Sequence, residues 1–316
     1  MFIVRPIQEE DFPTFQECAL NAHGIITSLP NKEEDLKRVL ENSLASFQKN
    51  VEKPLDEFYL FVLEDQAEKK IHGISAIRAT SHYQLFYQVK GGYLHLIASY
   101  DAPSELCSLY ILPSFRKGGQ GKLLSRARLH FIVSFPERFK EKIRAEMRGF
   151  INEAKNSPFW DSTGRTRVDI RYEEAEALLA RHDPSVYKFL FHEPVSVASL
   201  PPSTQEIIGK THPQTVPALE MLKREGFSWS GVIDVVDGGP RLDTYVSNLQ
   251  MVRQTHLYTL KELKPLESSE THLLSNHRLN FRALFAPAQV NPQQTITLSP
   301  ETAEMLQVKP GDLVRL

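Results

Sequence analysis

Cysteine is nearly missing from this chain: only Cys18 and Cys107 occur in 316 residues, far apart and each in an apolar setting. That excludes a disulfide framework or a thiolate zinc site, and two buried, reduced thiols are expected instead. No metal site is expected. Long hydrophobic runs are missing too, since no stretch of 18 or more apolar residues appears, and no membrane-spanning helix is expected. Met1 to Pro6 opens on a strand pattern and lacks a cationic segment followed by a long apolar one, so a cytoplasmic location is the default expectation. Neither sign of charge dominates. With 37 Lys and Arg against 39 Asp and Glu the formal net charge is −2, which offers no general surface for nucleic acid or membrane.

What is present is an ordinary globular composition, 41% hydrophobic and 24% charged, and a length that suggests about two domains. The most informative stretch runs from Ser104 to Phe135. Leu106, Leu109, Tyr110, Ile111 and Leu112 form a short apolar strand that Pro113 ends. Arg116-Lys117-Gly118-Gly119-Gln120-Gly121-Lys122 follows, where three glycines allow positive φ and close backbone approach, so that several amides can point at one anion. A helix then begins, with Leu123, Ala127, Phe131 and Phe135 at i+4 spacing and Lys122, Arg126 and Arg128 off that line, free to meet solvent or a ligand. Its free N–H groups and positive dipole end favour a phosphate. Between Pro113 and Phe150 ten Lys or Arg stand against three Glu, which suits a polyanionic ligand or a solvated helix face.

Two nucleotide motifs fail here. A Walker loop needs Gly where Arg116 stands and a hydroxyl where Leu123 stands; the dinucleotide G-x-G-x-x-G needs Gly in place of Leu124. What fits is R-x-x-G-x-G, carried by Arg116, Gly119 and Gly121, after a strand and opening a helix. This resembles the acyl-CoA pyrophosphate loop of the GNAT superfamily of N-acyltransferases.

The remaining chain agrees with that order. Phe2 to Val4 reads as a strand, Glu9 to Asn21 and Glu33 to Gln48 as helices, and Phe58 to Leu63 with Ile71 to Ala79 as a hairpin. Tyr83 to Tyr100 is a further hairpin about Gly91-Gly92, with Tyr83, Tyr87 and Tyr93 as strand residues, and Lys142 to Phe150 the strand after the central helix. Ser157-Pro158 opens a short helix as N-cap and first helical residue, Glu173 to His182 is another, and a Pro-rich loop passes Pro194, Pro201 and Pro202. Between Thr215 and Gly226 lies a helix of about ten residues, then a strand from Phe227 to Val236 and the turn Asp237-Gly238-Gly239-Pro240. Residues 170–253 either finish the first fold after an insertion or repeat part of it. From Gln254 short runs (Leu257 to Leu260, Phe281 to Phe285, Thr295 to Leu298, Asp312 to Leu316) indicate a small β unit. The expected class is α+β: a GNAT-like mixed, splayed sheet flanked by helices over 1–253, with a small all-β, barrel-like subdomain over 254–316.

Several motifs together resemble the arginine N-succinyltransferase family: T-S-L-P (Thr27 to Pro30), S-E-L-C-S-L (Ser104 to Leu109), A-E-M-R-G (Ala145 to Gly149), S-P-F-W (Ser157 to Trp160), H-P-Q-T (His212 to Thr215), E-G-F (Glu225 to Phe227) and D-G-G-P (Asp237 to Pro240). The resemblance implies transfer of succinyl from succinyl-CoA, a co-substrate and not a resident cofactor, to the α-amine of arginine. It implies that Leu109 contacts succinyl-CoA and that His212 is the proton donor. On the same reading Ile111, Arg116, Lys117, Gly118, Gly119, Gly121 and Lys122 complete the CoA site, and the enzyme works as a homo- or hetero-oligomer. One departure stands out: the segment between Gly91-Gly92 and Ser104 is shorter than in that family, beside the acyl groove.

An amine attacking a thioester needs a neutral nucleophile, a stabilised oxyanion and a proton for the departing thiolate. A backbone amide near Leu109 or Tyr110 suits the oxyanion, and His212 suits the proton. Glu146 is a candidate base or cation holder, or an ion-pair partner of Arg144 or Arg148. Asp234 and Asp237 are candidates for a guanidinium, with turn formation the stronger role for Asp237. Alternatives are another amine such as ornithine, another acyl-CoA, or a CoA-binding regulatory or partner subunit.

Overall fold

The computed structural model describes residues 1–316 except 23–25, 27, 83, 181–182 and 267–269, and the side chains at 180 and 184. Thr27 of the T-S-L-P motif, Tyr83 and the expected helix end at His182 lie outside the described residues. In chain order the elements are β1 (Phe2–Pro6), α1 (Phe12–Asn21), α2 (Glu33–Gln48), β2 (Phe58–Asp65), β3 (Lys70–Arg78), β4 (Gln84–Lys90), β5 (Tyr93–Ser99), β6 (Ser104–Ile111), α3 (Gln120–Ser134) and β7 (Lys142–Glu146). Then come α4 (Pro158–Ser162), α5 (Tyr172–Ala180), β8 (Val195–Ser196), α6 (Pro202–Ile207), α7 (Val216–Arg224), β9 (Ser228–Asp234), β10 (Pro240–Tyr245) and α8 (Gln250–Gln254). The chain closes with β11 (Leu257–Leu263), β12 (Thr271–Asn276), β13 (Ala283–Pro287), β14 (Gln289–Asn291), β15 (Thr295–Leu298), α9 (Pro300–Leu306) and β16 (Leu313–Arg315).

All strands join one sheet in the order β14-β15-β11-β16-β12-β13-β1-β2-β3-β6-β7-β10-β9-β4-β5-β8. The sheet is mixed: β6 with β7 and β11 with β15 run parallel, the other pairs antiparallel. The hairpin β4–β5 precedes β6 in the chain but sits across the sheet from it, because β7, β10 and β9 come in between and Phe86 pairs with Asp234. Strand β10 has no counterpart in the expected elements, since it starts at Pro240 immediately after a turn.

Helix α3 covers one face. Leu123, Leu124, Ala127 and Phe131 bury against Tyr59, Phe61, Ile143 and Ala145. Phe131 touches the rings of Phe47, Tyr59, Phe61, Phe139 and Phe281 at centroid distances of 5.2–5.9 Å. Truncating such a ring costs roughly 3–5 kcal/mol. On the other face α1 and α2 supply Phe15, Cys18, Leu36 and Leu40 against Leu60, Val62, Ile74 and Cys107. Both cysteines are free and buried as expected, and burial pushes the Cys18 thiol up to about 12 and that of Cys107 to about 11.

This is the mixed sheet flanked by helices that the GNAT resemblance implies. Ser157 Oγ accepts from the Trp160 amide, so Ser157-Pro158 opens a helix as expected, and Ser299 Oγ likewise accepts from the Thr302 amide before Pro300 opens α9. The Pro-rich stretch holds more structure than expected. Pro202 opens α6, where its missing N–H is no loss. No helix among the described residues is long and apolar enough to cross a membrane.

Candidate active site

Three local features converge at one end of β6. The first is a bulge. Ala76 pairs with Cys107 and Ile74 with Tyr110, so Ser75 faces both Ser108 and Leu109. Ser108 takes a left-handed φ of 56°, and its amide donates to Ser28 Oγ at 3.1 Å, tying the α1–α2 loop to the strand. Arg128 holds the other side. Its guanidinium donates to the carbonyls of Cys107 at 3.1 Å and Ala76 at 3.4 Å. It is only 2% exposed, which corrects the expectation that it faces solvent or ligand; burial lowers its pKa to about 10.

The second feature is the splay. β6 and β7 pair only at Ser104↔Ile143 and Glu105↔Arg144 and then part, so a gap opens beyond Leu106. Half-buried Leu109 and buried Ile111 lie on the β6 side of this gap. Both strands run the same way, so their C-terminal ends face the same edge of the sheet.

The third is the glycine loop. Gly118 and Gly119 have φ of 73° and 85°, and Gly119 is the N-cap of α3, whose first amides receive no side-chain cap. Gly121 is different: a Cβ there would lie at an ordinary 3.7 Å from Ile111 Cδ1, so the fold itself does not require glycine. Lys117 and Lys122 are exposed, and so is Arg116, which donates through Nε to the Ile111 carbonyl at 3.0 Å and sits over the Tyr110 ring. Most other members of the basic stretch are engaged. Arg126 pairs with Glu225 at 2.9 Å, Lys142 with Asp101 at 2.6 Å, Arg148 with Glu176 and Asp237. Distant carboxylates therefore neutralise much of the local excess, and Arg116, Lys117 and Lys122 remain beside the loop.

His212 is tied to the chain that continues from the other strand, β7. Its main-chain N–H donates to the Arg148 carbonyl at 2.7 Å, on the extension of β7, and Thr211 Oγ1 donates to the same oxygen at 3.0 Å. The imidazole Nδ1 accepts from the Gln214 amide at 3.2 Å, so the neutral ring carries its proton on Nε2. Burial and the Arg148 cation lower its pKa, and Asp237 opposes them. The shift favours the neutral ring.

Even-numbered residues of β7 face away from α3 and belong to a row of charge crossing four strands. Arg78 pairs with Glu105, Glu105 with Arg144, and Arg144 with Asp243. Glu146 and Arg241 face each other in the next row, where β6 has left. Arg78 donates to Glu105 at 2.8 Å, and Arg241 and Arg144 stack over Phe86. Glu146 Oε1 lies 3.2 Å from Arg144 Nε but makes no hydrogen bond. Burial first and the Glu105 carboxylate second raise the Glu146 pKa to about 7.

Asp234 and Asp237 are turn residues. Asp234 Oδ1 accepts from the amides of Val236 and Asp237, and Asp237 accepts from Gly149 at 2.9 Å and Gly239 at 2.7 Å. Arg78 and Arg241 were not marked by any motif, and Glu105 only as a member of S-E-L-C-S-L with no role given to it. The signal was alternation of charged with apolar residues inside strands, and only register brings those charges into one row.

A family model described as arginine N-succinyltransferase beta subunit matches residues 2–251, and one described as its C-terminal domain matches 256–316. The chain is 32% identical to an arginine N-succinyltransferase of Enterobacter sp. (strain 638), over 100% of this chain and 97% of that protein. It is 33% identical to an arginine N-succinyltransferase subunit alpha of Pseudomonas aeruginosa, over 100% and 99%. The solved arginine/ornithine succinyltransferase subunit AI of Pseudomonas aeruginosa superposes with a TM-score of 0.85 at 32% identity, covering 100% of this chain and 98% of that one.

Proposed function

The chain belongs to the arginine N-succinyltransferase family, and from that premise we propose that it moves the succinyl group of succinyl-CoA onto the α-amine of L-arginine and releases CoA. One observation supports this reading: two parallel strands part after Glu105, the β6 side leads into the uncapped amides of α3, and the β7 side carries the Arg148 carbonyl that holds the His212 amide. CoA is a polyanion with a long thin arm. Its pyrophosphate suits Gly118, Gly119 and Gly121, with Arg116, Lys117 and Lys122 adding charge. Gly121, where the fold leaves room for a methyl, supports close approach by a ligand. The pantetheine arm then runs between β6 and β7 past Ile111 and Leu109, and succinyl-CoA acts as co-substrate.

The bulge serves the thioester. The Ser108 amide is occupied by Ser28, which leaves the Leu109 amide to polarise the carbonyl. As the tetrahedral intermediate collapses, Nε2–H of His212 donates to the departing sulfur. A neutral imidazole is suited to that hydrogen bond.

Ornithine is a second acceptor to weigh, because the solved relative is named an arginine/ornithine succinyltransferase. Two relatives also carry subunit names, which supports an oligomeric enzyme. We place the reaction in the cytoplasm. The test is CoA release from succinyl-CoA and acetyl-CoA with arginine, ornithine and lysine. Turnover with succinyl-CoA and arginine is expected; CoA binding without turnover of any pair would leave only a binding protein.

A further inference from the structure

We infer that Glu146 is the general base that takes the proton from the acceptor's α-ammonium at the mouth of the β6–β7 gap. This inference rests on the acyl-transfer reading and adds the group that makes the nucleophile.

The position comes first. Glu146 is the last residue of β7 and stands just past the point where β6 leaves, so its side chain has no strand over it on that side. It keeps 25% of its side chain exposed in a region where Arg144 has none. Two residues on, the Arg148 carbonyl holds the amide of His212, so base and histidine hang from one short length of chain.

Elimination comes second. Glu105 is 5% exposed and bound to Arg78, Glu176 is held by Arg148, and Asp234 and Asp237 cap turn amides. Glu146 is the one of these with a buried oxygen that makes no hydrogen bond: Oε1 has only the ion pair with Arg144 Nε at 3.2 Å, while a quarter of the side chain stays exposed.

The charges around it are mixed. Arg78 of β3, Arg144 of β7 and Arg241 of β10 favour its ionised form, while Glu105 of β6 opposes it, and Asp234 of β9 is a further acid in the same field. Asp243 partly occupies Arg241 at 3.2 Å. The result is a carboxyl titrating at about 7, close to the working pH that suits a base.

The proton balance is simple. Glu146 carboxylate takes one proton from R–NH3⁺, the amine nitrogen bonds to the thioester carbon, and the C–S bond breaks. The second nitrogen proton ends on sulfur as CoA thiol, and Glu146 returns its proton to water.

The experiment is the pH profile of kcat/KM for arginine in wild type and Glu146→Gln, with succinyl-CoA affinity measured in parallel. Wild type should show an acid limb near pH 7, with rate rising as Glu146 ionises. Glu146→Gln should lose about 10²–10⁴-fold at pH 7, keep its succinyl-CoA affinity, and recover as pH rises past the acceptor ammonium's own pKa. Added formate should partly restore Glu146→Ala. A wild-type profile in Glu146→Gln, or a deficit that is the same at every pH with no rescue of Glu146→Ala, overturns the assignment. If wild type itself turns over no amine, the transfer reading fails and the base with it.

Discussion

The main-chain N–H of His212 donates to the carbonyl of Arg148 at 2.7 Å, so the residue keeps a backbone anchor besides the Gln214 amide that its Nδ1 accepts. Removing the ring leaves that anchor, and Thr211 and Thr215 still brace the loop at 2.9 Å.

His212→Ala should therefore lower turnover by roughly a hundredfold or more while leaving succinyl-CoA affinity and thermal stability almost unchanged. Steady-state kinetics beside a binding titration and a melting curve checks this. Unchanged turnover would remove His212 from the mechanism.

Gly119 has φ 85° with nothing within 4 Å of where a Cβ would go. The penalty for Gly119→Ala is then one of backbone conformation, about 1–2 kcal/mol, and not of packing. The expected outcome is a modest loss of stability with a larger rise in KM for succinyl-CoA, since the helix amides lose their aim. Gly121→Ala should leave stability alone and raise the same KM. Equal effects on stability from both would sink this distinction.

Asp237 joins two turns: it accepts from Gly149 and Gly239 and lies 3.4 Å from Arg148. Asp237→Ala strands two buried amides and weakens the compensation of a buried cation, which should cost about 3–5 kcal/mol. Denaturant unfolding measures it; a loss under 1 kcal/mol would show that the turns hold without it.

His130 is buried beside Ser275 Oγ at 3.0 Å, and burial lowers its pKa to about 3. The unfolded chain binds that proton near 6.5, so the contribution of neutral His130 is fully present above 6.5 and is lost as pH falls from there toward 3. Its slope is about 1.4 kcal/mol per pH unit at most. His130→Gln should be less sensitive than wild type between pH 7 and 5 in urea unfolding. Parallel curves would place the acid sensitivity elsewhere.

Local chemistry was enough for much of this molecule. Apolar periodicity defines α2 and α3, Ser157 and Ser299 before proline define two helix starts, and the glycines after β6 define an anion loop, because each depends on neighbours within a few residues. The motif histidine was legible for the same reason. Tertiary structure decided what depends on strand order and register. Arg128 looked like a surface cation until the bulge carbonyls of Cys107 and Ala76 claimed it. The basic stretch looked like a ligand surface until Glu225, Asp101, Glu176 and Asp237, all distant in sequence, paired with Arg126, Lys142 and Arg148. Arg241 carried no motif at all; it gained a place only when β10 paired with β7 and set it opposite Glu146. A charge's role follows from its partner and its burial, and both belong to the folded sheet rather than to the residues on either side of it.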